Sequence, residues 1–78
     1  MRKIYVDMTA IFDELGNIMP VMFKFEDGNT YYIDKVIDVK KRAAMKTGGV
    51  GLRYTCRIKN ALKYIYLEEN RWFIETDK

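Results

Sequence analysis

The residues whose type and spacing could do chemistry are cationic and aromatic. Between Val39 and Leu67 stand Lys40, Lys41, Arg42, Lys46, Arg53, Arg57, Lys59 and Lys63, with no acid among them. They are eight of fourteen Lys and Arg residues, so the segment carries +8. The other six cations face all eleven Asp and Glu residues, leaving −5 elsewhere. Such asymmetry within a short chain predicts a polarised surface; chance clustering on a solubilising face is the bland alternative. Tyr64 and Tyr66 follow Lys63 and are the candidates for stacking. Rings that stack bases beside cations that track phosphates suit single-stranded DNA or RNA. An edge that pairs with a protein partner has the same composition.

Other chemistries are missing. The chain has no His, Ser or Gln, which removes Ser-His and Cys-His nucleophilic constellations. Cys56 is the lone cysteine, so neither an intrachain disulfide nor a Cys/His zinc site can form. Its place in an alternating strand predicts an inert, buried thiol. Carboxylates pair at Asp13 with Glu14, Glu26 with Asp27 and Glu68 with Glu69. All three pairs fall at expected turns, where acids are ordinarily solvated. Asp34 and Asp38 are more suited to local pairing with Lys35 or Lys40. The glycine-rich run Thr47–Gly51 lacks the spacing and the closing Lys-Ser or Lys-Thr of a phosphate loop. The expectation is a protein that is not an enzyme, with no catalytic residues, no metal and no cofactor.

Seventy-eight residues make one domain with a thin core, burying about 60–65% of the unfolded surface. Without staples, stability must come from packing, for which 49% hydrophobic residues and eleven aromatics suffice. The chain shows no signal peptide and no apolar run near 18 residues, which predicts a cytoplasmic protein with no membrane association.

The elements that must position the cations are strands. Ile4, Val6, Met8, Ala10 and Phe12 recur at every second position, the period of a half-buried strand. Asp13 to Asn17 makes a hairpin loop, and the return strand runs from Ile18 to Glu26 with Val21, Phe23 and Phe25 inward. Pro20 cannot donate to a ladder and belongs at an edge or at the start of pairing. Asp27-Gly28 between alternating runs predicts a type I′ turn. The central stretch begins at Asn29. Ile33 and Val36, three apart, need a bulge near Asp34 and Lys35 to share a face. This strand leaves the core at Val39 and carries Lys40, Lys41 and Arg42 to the surface. A mobile basic, glycine-rich loop is expected over about 40–51. Leu52 to Lys59 alternates cleanly, with Arg53, Arg57 and Lys59 outward. Asn60-Ala61 and Glu69-Asn70 are expected turns around a strand Leu62–Glu68 of open polarity, Tyr64 and Tyr66 opposing Ile65 and Leu67. Arg71–Thr76 closes the set. Adjacent rings at Tyr31-Tyr32 and Trp72-Phe73 must point opposite ways, so one of each pair is expected to be partly exposed.

These elements predict an all-β fold: a six-stranded antiparallel meander curled into a small SH3-like barrel. Its expected core is Ile4, Val6, Phe23, Phe25, Ile33, Val36, Tyr54, Cys56, Ile58, Trp72 and Ile74. All eight cations are expected to share one face.

The run Tyr32-Ile33-Asp34-Lys35-Val36-Ile37-Asp38, with Arg71-Trp72-Phe73-Ile74-Glu75 downstream, resembles a small uncharacterised bacterial β-domain family encoded beside Y-family translesion DNA polymerases. The resemblance spans most of the chain and rests on short, largely structural motifs. It implies an accessory or nucleic-acid-associated role in DNA damage tolerance, a polymerase as one protein partner, and no catalytic residues to carry over.

Overall fold

The computed structural model describes residues 2–43 and 50–76. Seven strands and no helix make up these residues: β1 (Arg2–Phe12), β2 (Ile18–Lys24), β3 (Thr30–Tyr32), β4 (Lys35–Ala43), β5 (Val50–Ile58), β6 (Ala61–Glu68) and β7 (Arg71–Thr76). They form one antiparallel sheet in the order β3-β2-β1-β7-β6-β5-β4, curled into a half-barrel. The eleven-residue β1 serves both halves. Arg2–Val6 pairs with β7, and Asp7–Phe12 pairs with β2.

Seven strands replace the expected six, and a half-barrel replaces the closed one, because the central stretch does not stay continuous. Its two parts, β3 and β4, are the two edges of the sheet. The step between them is two residues long. The Ile33 N–H donates to the Val21 carbonyl at 2.8 Å and the Asp34 N–H to the Arg57 carbonyl at 2.9 Å. The bulge expected near Asp34 falls instead at Ile37, where the ladder slips between Val36↔Cys56 and Asp38↔Thr55. A second irregularity accommodates Pro20: the register skips Val21 between Thr9↔Met22 and Ala10↔Pro20. Since β3 pairs only with Met22–Lys24, β2 is an edge at Pro20, where a residue without an N–H is tolerated.

The turns follow from local chemistry, though not always as expected. At Asp27-Gly28 only Gly28 has positive φ (+86°), and its N–H reaches the Phe25 carbonyl at 3.0 Å. That is a turn over Phe25–Gly28 ending in a left-handed glycine, not the two-residue I′ form, which needs positive φ at both central positions. Asp13–Gly16 repeats the geometry, with Gly16 at φ +87°. The consecutive positive φ values belong to Lys59-Asn60 and Glu69-Asn70. The β5–β6 turn therefore sits one residue before the expected Asn60-Ala61.

The inner face holds the main core. Phe23, Tyr54, Cys56, Ile58, Ile65 and Trp72 are buried together, with Val6, Phe25, Ile33, Val36 and Ile74 packed against them. Ile4 is also buried. The Tyr54 hydroxyl, on the same face, donates to the Ile18 carbonyl. Ile65, fully buried, fixes the polarity of β6: Ile65 and Leu67 face in, Tyr64 and Tyr66 face out.

Burial does not end there. Tyr66 and Phe73 are 7% and 2% exposed yet lie outside the inner cluster. They stack at 5.1 Å between centroids, and Tyr5 meets Phe73 edge-on at 5.6 Å. Both Trp72 and Phe73 are thus buried, contrary to the expectation for adjacent rings. In the other pair Tyr32 is 64% exposed, while Tyr31 stacks on Phe23 at 5.5 Å.

Candidate nucleic-acid interface

The outer face is built in rows, because antiparallel register places one residue from each strand side by side. One row crosses five strands: Lys40, Arg53, Tyr66, Phe73 and Tyr5 are successive partners. Cations lie over the rings from the neighbouring rows. Arg71 sits 3.7 Å from the centroid of Tyr5, Lys3 4.6 Å from Phe73, Arg42 4.8 Å from Tyr66 and Arg53 4.5 Å from Tyr64. Each such contact contributes about 0.5–1 kcal/mol at an exposed site. The ring ladder is therefore a second, shallow core roofed by cations, with Lys3 also bridging to Glu68 at 3.4 Å.

At the β4–β5 end of this face the charge is unbalanced. Lys40 lies directly opposite Arg53, and Lys35 opposite Arg57. Like charges in directly opposed positions are destabilising. Among the described residues no ion pair relieves either pair, and Asp38, opposite Thr55, is the acid between them. Arg53 adds a further cost, since its Nε is buried without a hydrogen-bond partner. Tyr64, 50% exposed, lies opposite Thr55 in the row between Arg53 and Arg57. Those two arginines are four residues apart along β5, about 13 Å at strand rise.

The eight candidate cations separate in space. Lys40, Arg42, Arg53 and Arg57 share the outer face. Lys41 pairs with Leu52, which packs on the core, so it belongs to the inner side of the β4 edge. Lys63 pairs with the buried Cys56 and also sits on the inner side. Lys59 occupies the β5–β6 turn, its ammonium 5.1 Å from the centroid of Tyr31. The single shared face is corrected accordingly: the acid-free segment spans both sides of the sheet. Lys46 and residues 44–49 of the expected loop lie outside the described residues, while Lys40–Ala43 and Val50-Gly51 are strand.

The two stacking candidates also part company. Both face outward, but Tyr66 is enclosed by Phe73 and Arg42 and offers no free ring face. Burial, then its bond to Glu75, raises its phenol above the ordinary value. Tyr64 alone of the two is open to solvent, 50% exposed, with Arg53 over one face of its ring. Missed by the sequence were Lys35, Lys3, Arg71, Tyr5 and Phe73. The only available signal was cross-strand register, which no local pattern carries.

Among the described residues no three His, Cys, Asp or Glu side chains gather to hold a metal. Cys56 is fully buried, and burial pushes its thiol up to about 11. Protein-family models, curated proteins and solved structures contain no match to this chain.

Proposed function

We propose that this domain is a non-enzymatic binder of single-stranded nucleic acid, using the outer face of β4, β5 and β6. The observation that carries the reading is the pair of like-charged cross-strand neighbours, Lys35↔Arg57 and Lys40↔Arg53. A folded sheet that juxtaposes cations twice, with exposed Tyr64 between the rows, is suited to a repeating anion bearing stackable rings. Lys35, Lys40, Arg53 and Arg57 meet phosphates, and Tyr64 stacks a base. Arg42 serves the interface indirectly, by roofing Tyr66.

The corner at Ile33-Asp34, which makes both sheet edges consecutive in the chain, supports treating the half-barrel as a variant of the small SH3-like barrel. The accessory role in DNA damage tolerance belongs to the same proposal. One further observation favours the alternative of a protein-interaction module: edge strand β4 exposes Ile37 and Val39 at 45% and 42%, as a strand that receives another strand does.

Fluorescence anisotropy with labelled oligonucleotides separates the two. Arg53→Glu with Arg57→Glu should abolish binding while the circular dichroism spectrum is kept, because both residues lie on the outer face, opposite the inner core. Binding indifferent to this reversal, or none at low salt, would transfer the function to the β4 edge and a protein partner.

A further inference from the structure

The groove where β6 and β7 part includes none of the four cations of the proposed function. The ladder between these strands covers only Tyr66↔Phe73, Leu67↔Trp72 and Glu68↔Arg71. Yet β6 begins at Ala61 and β7 runs on to Thr76. The strands diverge, and the wedge between them opens a groove of about 770 Å³, bordered by inner-face residues and by Tyr64 and Tyr66 of the outer face. Its apolar lining includes Ile4, Phe23, Phe25, Tyr31, Ile58 and Ile74. That size and lining match small-molecule sites, which also favour the mouths of barrels.

The rim charges set the chemistry of the occupant. Arg2 is engaged with Glu26 at 3.1 Å, and Glu75 with the Tyr66 hydroxyl. Two ammonium groups remain on the lining, those of Lys59 and Lys63. Lys59 lies over the Tyr31 ring and makes no ion pair among the described residues. Lys63 is exposed, without an ion pair among the described residues, and stands on the inward side of β6 opposite a fully buried cysteine. A lysine at an inward position beside an apolar groove places its charge on whatever fills that groove.

We propose that this groove binds an amphiphile with an extended apolar body and a single anionic head, the body lying over Ile4, Phe23, Ile58 and Ile74 and the head between Lys59 and Lys63. The groove borders the outer face at Tyr64 and Tyr66 but includes none of Lys35, Lys40, Arg53 and Arg57, so the phosphate contacts of the proposed function and this site can be tested apart.

Titration of ¹⁵N-labelled protein with decanoate below its micellar range, and in parallel with neutral 1-decanol, tests the assignment. Saturable shifts should centre on Ile58, Ala61 and Ile74 for both ligands, with decanoate the tighter. Lys59→Gln or Lys63→Gln alone should weaken decanoate about tenfold, the loss of one charge-assisted contact, both together by more, and each should leave decanol unchanged. Arg57→Glu, at a position outside the lining, should affect neither ligand. The assignment is overturned by shifts that do not saturate or lie elsewhere, or by lysine variants that bind decanoate as before. A Lys63 variant that aggregates with unaltered decanoate affinity also overturns it, since Lys63 would then guard an unpaired strand edge.

Discussion

Replacing Phe73 by alanine tests whether the outer ring ladder is a core in its own right. Phe73 is 2% exposed, so truncation forfeits nearly the whole transfer free energy of the ring, about 1.5–3 kcal/mol. It also removes the stack with Tyr66 and the edge contact with Tyr5, each about 0.5–1.5 kcal/mol beyond burial. The Lys3 contact contributes a smaller amount. Partial collapse of the shallow site offsets some of this, which places the expected loss at about 3–5 kcal/mol. A domain of this length has about 4–12 kcal/mol in all. Phe73→Leu, which keeps apolar bulk and forfeits mainly the aromatic contacts, should therefore be the cleaner variant, at about 1–2 kcal/mol. Urea unfolding followed by tryptophan fluorescence reads both. A double-mutant cycle of Phe73→Leu with Tyr66→Leu should give a coupling near 1 kcal/mol. A loss below about 1 kcal/mol for Phe73→Ala would mean that the ring lies open to solvent and that the face has no second core.

Gly51→Ala should destabilise by about 1–3 kcal/mol, read by the same unfolding assay, because the new Cβ would stand 2.8 Å from Glu68 Cγ and 3.2 Å from the Leu67 carbonyl. The Cys56 thiol rises from 9.0 to about 11 on folding. Below pH 9 both states keep the proton; from there to about 11 the unfolded chain loses it first, and stability falls by up to about 2–3 kcal/mol. Cys56→Ala should lose that part of the alkaline slope, and the native thiol should ignore a disulfide reagent at pH 8. Asp13 accepts the Asn17 and Leu15 N–H groups at 2.8 and 2.9 Å, which hold its carboxyl below 3.8. Its contribution is present above pH 3.8 and is lost as pH falls through the folded value; carboxyl NMR titration should show the depressed midpoint, and Asp13→Asn should remove it.

The fold was legible where alternation is unambiguous. Ile4, Phe23, Tyr54, Cys56, Ile58 and Trp72 declared themselves because period two with polar neighbours admits one inward face. Phe73 and Tyr66 could not, since a residue facing away from the core is ordinarily wet. Their burial depends on β1, β7 and β6 lying side by side, and Tyr5 is far in sequence from both partners. Ile65 was ambiguous for a related reason: both sides of β6 are apolar or aromatic. The cations were legible as a charge excess but not as a surface. Lys63 and Arg57 stand within one acid-free run yet face opposite sides, while Lys35 lies outside that run and meets Arg57 only through the β4–β5 register. The step at Ile33-Asp34 was foreshadowed by the spacing of Ile33 and Val36, although the chain breaks there and bulges at Ile37.

The salt dependence of binding tests the central claim most directly. Four phosphate contacts, from Lys35, Lys40, Arg53 and Arg57, predict that log K for a labelled single strand falls with log salt at a slope of about −3. Affinity should drop roughly fiftyfold between about 50 and 200 mM salt. Arg53→Gln with Arg57→Gln, which removes two of the four contacts, should halve the slope to about −1.5. A slope near zero, or one that the double variant leaves unchanged, would contradict the account.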